Sequence, residues 1–332
     1  MGKPKVLFLT DRGERHQQWA LSFAPPQLEV IMRRAPSFEQ LAALLGDIDF
    51  IISERNQPIT ASMIAAAPQL KLIIRLGSLS YDIDHAAAQT RNIPIVVQPV
   101  LGTIYCAEHA LMMILALCKR LGRGLYVAAN TENTQARRGD ENIFSFNWNN
   151  FYDIGSLYGK TIGILGMGEI GVELARRLKP FGTAAVLYHK RTPFPVQVQQ
   201  DLGVIYAEYA EVLRAADILI SLLPYSDETE YQRGGGLSKV NLALLKPTAL
   251  LVHLGSGSVV DEAAVAEMIR LGTLSGAAFD TYEYEPLRQD NPLIPLARDP
   301  NANVLLTPHT AAASAPSSRA DDYAAILRYL GL

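Results

Sequence analysis

A chain of 332 residues with 49% hydrophobic and 19% charged residues has the composition of a soluble globular protein, long enough for two domains of ordinary size and too apolar for a disordered one. A formal net charge of −3 leaves no global footprint for nucleic acid or acidic membrane. The two cysteines, Cys106 and Cys118, share one predicted helix, form neither a disulfide framework nor a metal spacing, and suit a reducing cytoplasm.

The N-terminal run Val6 to Leu9 is too short for a signal peptide or a membrane span, and every later apolar run is interrupted by charge before membrane length. Over the first hundred residues, "KVLFL", "LEVIM", "DFIIS", "LKLII" and "IPIVV" have the unbroken apolar character of strands buried on both faces. Between them, "SFEQLAALLG" and "TASMIAAAPQ" carry helical spacing, with Ser37 and Thr60 placed as N-caps. This alternation predicts a parallel sheet with helices on both faces. The apolar stretch "IYCAEHALMMILALCKRL" then predicts a buried crossover helix. The Asn-rich, aperiodic segment from Asn130 to Leu157 predicts an irregular surface connection.

From Thr161 the α/β alternation resumes, with strands predicted at 161–165, 184–189, 217–222, 249–253, 275–280 and 304–307 and a closing helix at about 317–330. Gly166, Gly168 and Gly171 form G-x-G-x-x-G between a buried strand and the helix "EIGVELARRLKPFG". In that setting the first glycine allows a tight turn, the second lets the backbone approach a pyrophosphate, and the third lets helix pack on strand. The acid that bonds the ribose hydroxyls of NAD belongs at the end of the next strand. His189, Lys190, Arg191 and Thr192 stand there instead, a cationic cluster that favours NADP over NAD.

Three further stretches carry a resemblance: "LVHLGSGSVVDEAAVAEMIRLGTLSGAAFDTYEYEPL", "NVLLTPHTAAAS" and "LKLIIRLGSLSYDID…IPIVVQPVLGTIYCAEHAL". Their order and spacing resemble the D-isomer-specific 2-hydroxyacid dehydrogenases, from about residue 40 to the last helix. The resemblance implies an α/β fold of two Rossmann-like or flavodoxin-like parallel-sheet domains with helices on both faces. A split substrate domain, residues 1–118 plus 309–332, would flank a dinucleotide domain at 119–308. It also implies a homodimer that reduces small 2-oxo acids with NADPH or NADH. His309 matches the family's general acid and Glu285 the carboxylate that orients it. Asp280 matches the residue that binds the nicotinamide carboxamide. Glu169, Ile170, Leu223, Pro224, Leu254 and Ala311 fall on cofactor-contacting positions, and Gly77, Ser78 and Leu79 on the substrate loop.

Two positions depart from the family. Ser256 stands where an arginine holds the substrate carboxylate, and one neutral hydroxyl cannot replace a planar charged fork. Leu79 replaces a glycine of the substrate loop, where positive φ would disfavour it. Arg75 and Arg233 are candidates to supply the missing cation, and "RGGGLS", from Arg233 to Ser238, suggests a flexible surface loop. His253 could contact the cofactor, and His109 is expected to be structural. No histidine combination has metal spacing. Three readings stay open: an NADPH-preferring 2-oxo acid reductase, a nucleotide-binding sensor or interaction protein with little turnover, and a reductase of carbonyl substrates without a carboxylate.

Overall fold

The computed structural model describes residues 2–55, 57–132, 136–144, 146–314 and 318–332. Two compact units form, Met1–Ile104 with Ser314–Leu332, and Tyr105–Ala313. These limits differ from divisions at 118/119 and 308/309. The helix Leu101–Cys118 is tied to the second unit from its middle onward: Glu108 pairs with Arg177 at 3.1 Å, His109 bonds Thr307 at 3.1 Å, and the Leu117 carbonyl accepts from Asn303 at 3.1 Å. By length and composition this helix could cross a membrane. Its buried face of Ala107, Ala110, Met113 and Ile114, and these polar ties, make it a core helix instead.

In the first unit, β1 (Lys5–Thr10), β2 (Glu29–Arg34), β3 (Phe50–Ser53), β4 (Leu72–Leu76) and β5 (Ile95–Gln98) form a parallel sheet in the order β2-β1-β3-β4-β5. The central strands β1, β3 and β4 alternate between two apolar faces, whereas β2 and β5, at the sheet edges, are not buried on both faces as their apolar runs suggested. Leu7, Leu9, Ile51 and Ile73 face one core with Leu41, Ile64 and Ala88 of the intervening helices. Val6, Phe8, Phe50, Ile52 and Ile74 face the other, with Ala20, Tyr323 and Ile326. Each fully buried Leu, Ile or Phe contributes roughly 1.5–3 kcal/mol. The predicted caps form: Ser37 closes a capping box with Gln40, and Thr60 accepts from the Met63 amide at 3.3 Å. The closing helix is shorter than expected, a 3₁₀ turn over Ala320–Tyr323 leading into Ala324–Leu330; residue 317, where the predicted helix begins, lies outside the described residues.

The second unit contains β6 (Thr161–Leu165), β7 (Ala185–His189), β8 (Ile205–Tyr206), β9 (Ile218–Ser221), β10 (Leu250–His253), β11 (Gly276–Phe279) and β12 (Val304–Leu306). Their order, β12-β11-β10-β9-β6-β7-β8, is that of a doubly wound dinucleotide fold, all parallel, with its switch point between β6 and β9. Sequence periodicity missed β8, the helix Glu14–Leu21 and the helix Leu121–Ala129. The "RGGGLS" segment is packed rather than flexible. A Cβ on Gly235 would lie 2.0 Å from the Glu228 carbonyl oxygen, one on Gly236 2.2 Å from that of Thr229, and Leu237 is fully buried. Those glycines admit close backbone approach, not mobility.

Candidate active site

At the C-terminal end of β6 the chain turns at Gly166, with φ +86°, where a Cβ would lie 2.5 Å from the Leu222 carbonyl oxygen. Gly171 sits in the first turn of the helix Glu169–Leu178, and a Cβ there would meet Met167 Sδ at 2.9 Å. Gly168, the N-cap, differs: nothing lies within 4 Å of the place its Cβ would take. The loop therefore needs its first and third glycines for its own packing and leaves the second open to solvent. That is the arrangement in which the amides of a helix N-terminus face an anion. Glu169 and Ile170 follow in the first turn, both half-buried.

At the end of β7, the His189 carbonyl accepts the Gly166 amide at 3.1 Å. The His189 ring points inward: Nδ1 donates to the Ala207 carbonyl at 3.1 Å, and the ring packs between Tyr206 and Tyr209. Lys190 lies with Nζ 4.1 Å from the Phe194 ring centroid, while Arg191 and Thr192 are exposed. The exposed charge of the cluster is thus carried by Lys190 and Arg191, with His189 built into the frame.

Beyond β9 and β10, two loops interlock. Ser256 donates its amide to the Leu223 carbonyl at 2.9 Å. Gly255 packs against the Leu223 backbone, its carbonyl accepting Thr281 Oγ1 at 2.6 Å, and a Cβ on Gly257 would fall 1.7 Å from the Tyr282 carbonyl oxygen. The glycines flanking Ser256 are therefore filled positions with no spare room. Ser256 itself is half-buried, its Oγ 3.5 Å from Ser258 Oγ. Leu223 is buried and Pro224 exposed, while the Leu254 amide bonds the Ser221 carbonyl at 3.1 Å.

His309 follows β12 with φ +52°, left-handed for a residue with a side chain. Its Nδ1 lies 2.7 Å from Glu285 Oε2, and Glu285 Oε1 accepts the Tyr282 amide at 3.0 Å. A carboxylate here accepts, so Nδ1 carries the hydrogen and Nε2 is the nitrogen left for proton transfer. Asp280, 1% exposed, turns back onto the same loop. Its Oδ1 accepts Thr307 Oγ1 at 2.6 Å and the Thr310 amide at 2.9 Å; its Oδ2 accepts the Ala311 amide at 3.0 Å. Thr307, Tyr282 and His109 have a part in this network that no motif marked.

His253 cannot reach a cofactor as the sequence suggested, because it is 0% exposed. Neither ring nitrogen has a hydrogen-bond partner among the described residues, nor does Ser221 Oγ, its register neighbour on β9. Burial pushes its pKa down from 6.5 to about 3, the Ser256 carbonyl acting weakly the other way, so the ring is neutral. Among the described residues no group of three or more His, Cys, Asp or Glu could hold a metal ion.

In the first unit, Gly77 has φ +142°, but Leu79 keeps a negative φ, so the expected strain is absent. The Leu79 carbonyl accepts Arg55 Nη2 at 2.5 Å, with Arg55 lying over the Tyr81 ring. Ser78 is buried. Neither arginine suggested from sequence is a free cation. Arg75 is fully buried and bonds Asp82 and Ser53, and Arg233 pairs with Glu230 at 2.6 Å and Asp227 at 3.2 Å.

Residues 111–311 match the D-isomer specific 2-hydroxyacid dehydrogenase, NAD binding domain, and residues 8–156 match the catalytic domain of the same family. A glyoxylate reductase of Pyrococcus furiosus is 32% identical over 278 residues, which is 83% of this chain and 76% of that protein. Among solved structures, a protein from Pyrococcus horikoshii is 30% identical with a TM-score of 0.57, covering 98% of this chain and 91% of that one. An NADPH-dependent glyoxylate/hydroxypyruvate reductase from Sinorhizobium meliloti, in complex with NADP and malonate, is 27% identical with a TM-score of 0.53, covering 97% and 91%.

Proposed function

The chain belongs to the D-isomer specific 2-hydroxyacid dehydrogenase family, NAD(P)-dependent oxidoreductases, and on that premise we propose that it reduces a small 2-oxo acid of the glyoxylate or hydroxypyruvate class with NADPH. The observation that carries this reading is the 2.7 Å contact between His309 Nδ1 and Glu285. It fixes the tautomer and leaves Nε2, on a side chain 60% exposed, to protonate the alkoxide that forms at the carbonyl oxygen.

A dinucleotide fits the residues present. Gly168 leaves the space a pyrophosphate needs, the helix Glu169–Leu178 offers its N-terminal amides, and no acid stands beside Lys190 and Arg191 to repel a 2′-phosphate. Glu169, Ile170 and Thr192 flank that cradle; Leu223, Pro224, Leu254, Asp280 and Ala311 border the nicotinamide end. The bound nucleotide supplies the hydride. Gly77, Ser78 and Leu79 of the first unit are assigned to substrate contact. NADPH oxidation measured against a panel of 2-oxo acids and neutral carbonyls tests the proposal. Turnover of glyoxylate or hydroxypyruvate supports it, and binding of NADPH without turnover of any 2-oxo acid overturns it.

Ser256 favours one second reading, a carbonyl substrate without a carboxylate, because it presents no charge where the family places a guanidinium. Turnover confined to the neutral carbonyls of the panel would select it.

We also assign a second copy of this chain as partner. The second unit exposes Leu125, Tyr126, Phe144, Phe146, Tyr152 and Tyr158 along one stretch of sequence, large apolar side chains that a second copy would cover. Sedimentation should give twice the chain mass, and Phe144→Ser with Phe146→Ser should return the monomer. The free state of Cys106 and Cys118 accords with a cytoplasmic enzyme.

A further inference from the structure

The helix Leu101–Cys118 brings His109 to the far side of the loop that carries His309. Thr307 lies between them and has one hydroxyl proton. Its oxygen is 2.6 Å from Asp280 Oδ1, which can only accept, so the proton points there; the Phe279 carbonyl, at 3.4 Å, is the weaker acceptor. The Thr307 oxygen then receives a hydrogen from His109 Nε2, 3.1 Å away, and the same Nε2 also lies 3.5 Å from Asp280 Oδ1, so the imidazole bears on the carboxylate both through Thr307 and directly. The chain has one direction: His109 Nε2–H to Thr307, Thr307 O–H to Asp280.

Asp280 passes this order on. Its two oxygens also take the Thr310 and Ala311 amides, the two residues directly after His309. A left-handed φ at a non-glycine residue costs on the order of 1 kcal/mol or more and persists only where neighbours enforce it. Two amides converging on one enclosed carboxylate enforce it here. Cys106, one turn earlier on the helix, also faces Asp280, but burial and that carboxylate push its thiol pKa up, so it stays uncharged and does not compete.

We propose that His109 is a positioning residue of the reducing site, holding the loop 307–311 through Thr307 and Asp280 so that His309 is presented to the carbonyl. The inference rests on the assignment of His309 as the proton donor. His109 touches neither substrate nor cofactor in this role; it acts at one remove, through a carboxylate whose orientation decides the turn.

His109→Ala, His109→Gln and Thr307→Val test it together. A group displaced by about 1 Å can lose roughly a hundredfold in rate, so His109→Ala should lower kcat by about tenfold or more. KM for glyoxylate should shift less than about threefold, because the substrate loop stays in place, while Kd for NADPH should rise by less than the loss in kcat, since Asp280 and Ala311 border only the nicotinamide end of the cofactor. His109→Gln, whose side-chain amide can donate to Thr307, should recover kcat to within about threefold of the unmutated enzyme. Thr307→Val should lower kcat less than His109→Ala, because His109 still faces Asp280 directly at 3.5 Å, and the double variant should lose less than the product of the two single losses, since both act on Asp280. Nitrogen-15 spectra of labelled imidazoles should show His109 as the Nε2–H tautomer, retained in Thr307→Val because Asp280 Oδ1 still faces that nitrogen at 3.5 Å. Equal loss in the Ala and Gln variants, unchanged kcat in the Ala variant, or an Nδ1–H tautomer would overturn the proposal. If the unmutated protein reduces no 2-oxo acid, the assigned reaction fails instead, while the tautomer still decides whether the chain exists.

Discussion

The loop Gly166–Gly171 and the loop Gly77–Ser80 both follow a buried parallel strand and both begin on a glycine with positive φ. In the first, Gly166 is crowded by the Leu222 backbone and Gly171 by the Met167 side chain, while Gly168 between them is left open. In the second, Leu79 sits without strain, and its carbonyl is already occupied by Arg55. One loop is built to receive an anion. The other has turned part of its polar backbone toward its own unit. Ser256 extends the contrast, a neutral hydroxyl on a loop whose backbone is otherwise clamped at Leu223, Thr281 and Tyr282. The glycine loop leaves a place open for a ligand, while the loop at Gly77–Ser80 and the loop at Ser256 offer no free cation.

The largest expected effect separates the two regions most sharply. His309→Gln removes the proton donor without touching the glycine loop. Loss of a positioned general acid typically costs about 10²–10⁴-fold, so kcat should fall about a thousandfold while NADPH affinity stays within about twofold. A parallel loss of affinity, read from nicotinamide fluorescence, would mean that the regions are not separable.

That separation could be drawn only partly from sequence. Strands buried on both faces announce themselves as unbroken apolar runs, and the glycine spacing announces the phosphate loop. Contacts between distant residues do not. His109 and Thr307 are 198 positions apart, and neither lies in a motif that names the other. "RGGGLS" misled because glycine serves both mobile loops and crowded backbones, and only the Glu228 and Thr229 carbonyls distinguish the two. The helix Glu14–Leu21 escaped notice because it buries only Ala20 and so carries almost no periodic signal. Aspartate at the end of β11 was expected to meet the cofactor; its engagement with Thr307, Thr310 and Ala311 depends on a turn that spacing cannot predict.

The frame beneath the Ser256 loop gives the next effect. His253 has a folded-state pKa of about 3 against 6.5 when exposed, so the unfolded chain takes up a proton in acid that the folded protein refuses. Its contribution is undiminished above about pH 6.5 and is lost progressively as pH falls from there toward 3. Between pH 7.5 and pH 5 the cost should be about 2 kcal/mol of unfolding free energy. His253→Asn should remove about that much of the pH dependence in urea titrations at the two pH values. An unchanged difference would show that the ring finds a partner for its proton.

Adding a guanidinium on the Ser256 loop should produce a gain rather than a loss. Ser256→Arg, paired with Leu79→Gly, should raise kcat/KM for glyoxylate by about tenfold, or about 1.4 kcal/mol of transition-state stabilisation. The change must stay at Ser256, since Gly255 and Gly257 have no room for a Cβ. If no 2-oxo acid is turned over faster by a folded, NADPH-binding variant, the loop was shaped for a substrate without a carboxylate.

The smallest effect concerns the glycine-loop side of the comparison. Lys190 and Arg191 should give NADPH about a tenfold advantage over NADH, about 1.4 kcal/mol. The two should not share it equally. Lys190 lies against the Phe194 ring, a cation–π contact of about 0.5–1 kcal/mol at an exposed site that must be given up or shared when a phosphate arrives. Arg191 is exposed, and a guanidinium can meet a phosphate with two parallel hydrogen bonds. Arg191→Ala should therefore lower the NADPH preference by about fivefold and Lys190→Ala by about twofold, with NADH affinity nearly constant in both. Phe194→Leu releases Lys190 from its ring and should strengthen NADPH binding slightly. The ratio of the two dissociation constants, measured for each variant, decides the matter. A ratio near one in the unmutated protein would remove the basic cluster from cofactor choice and leave it a solvated strand end.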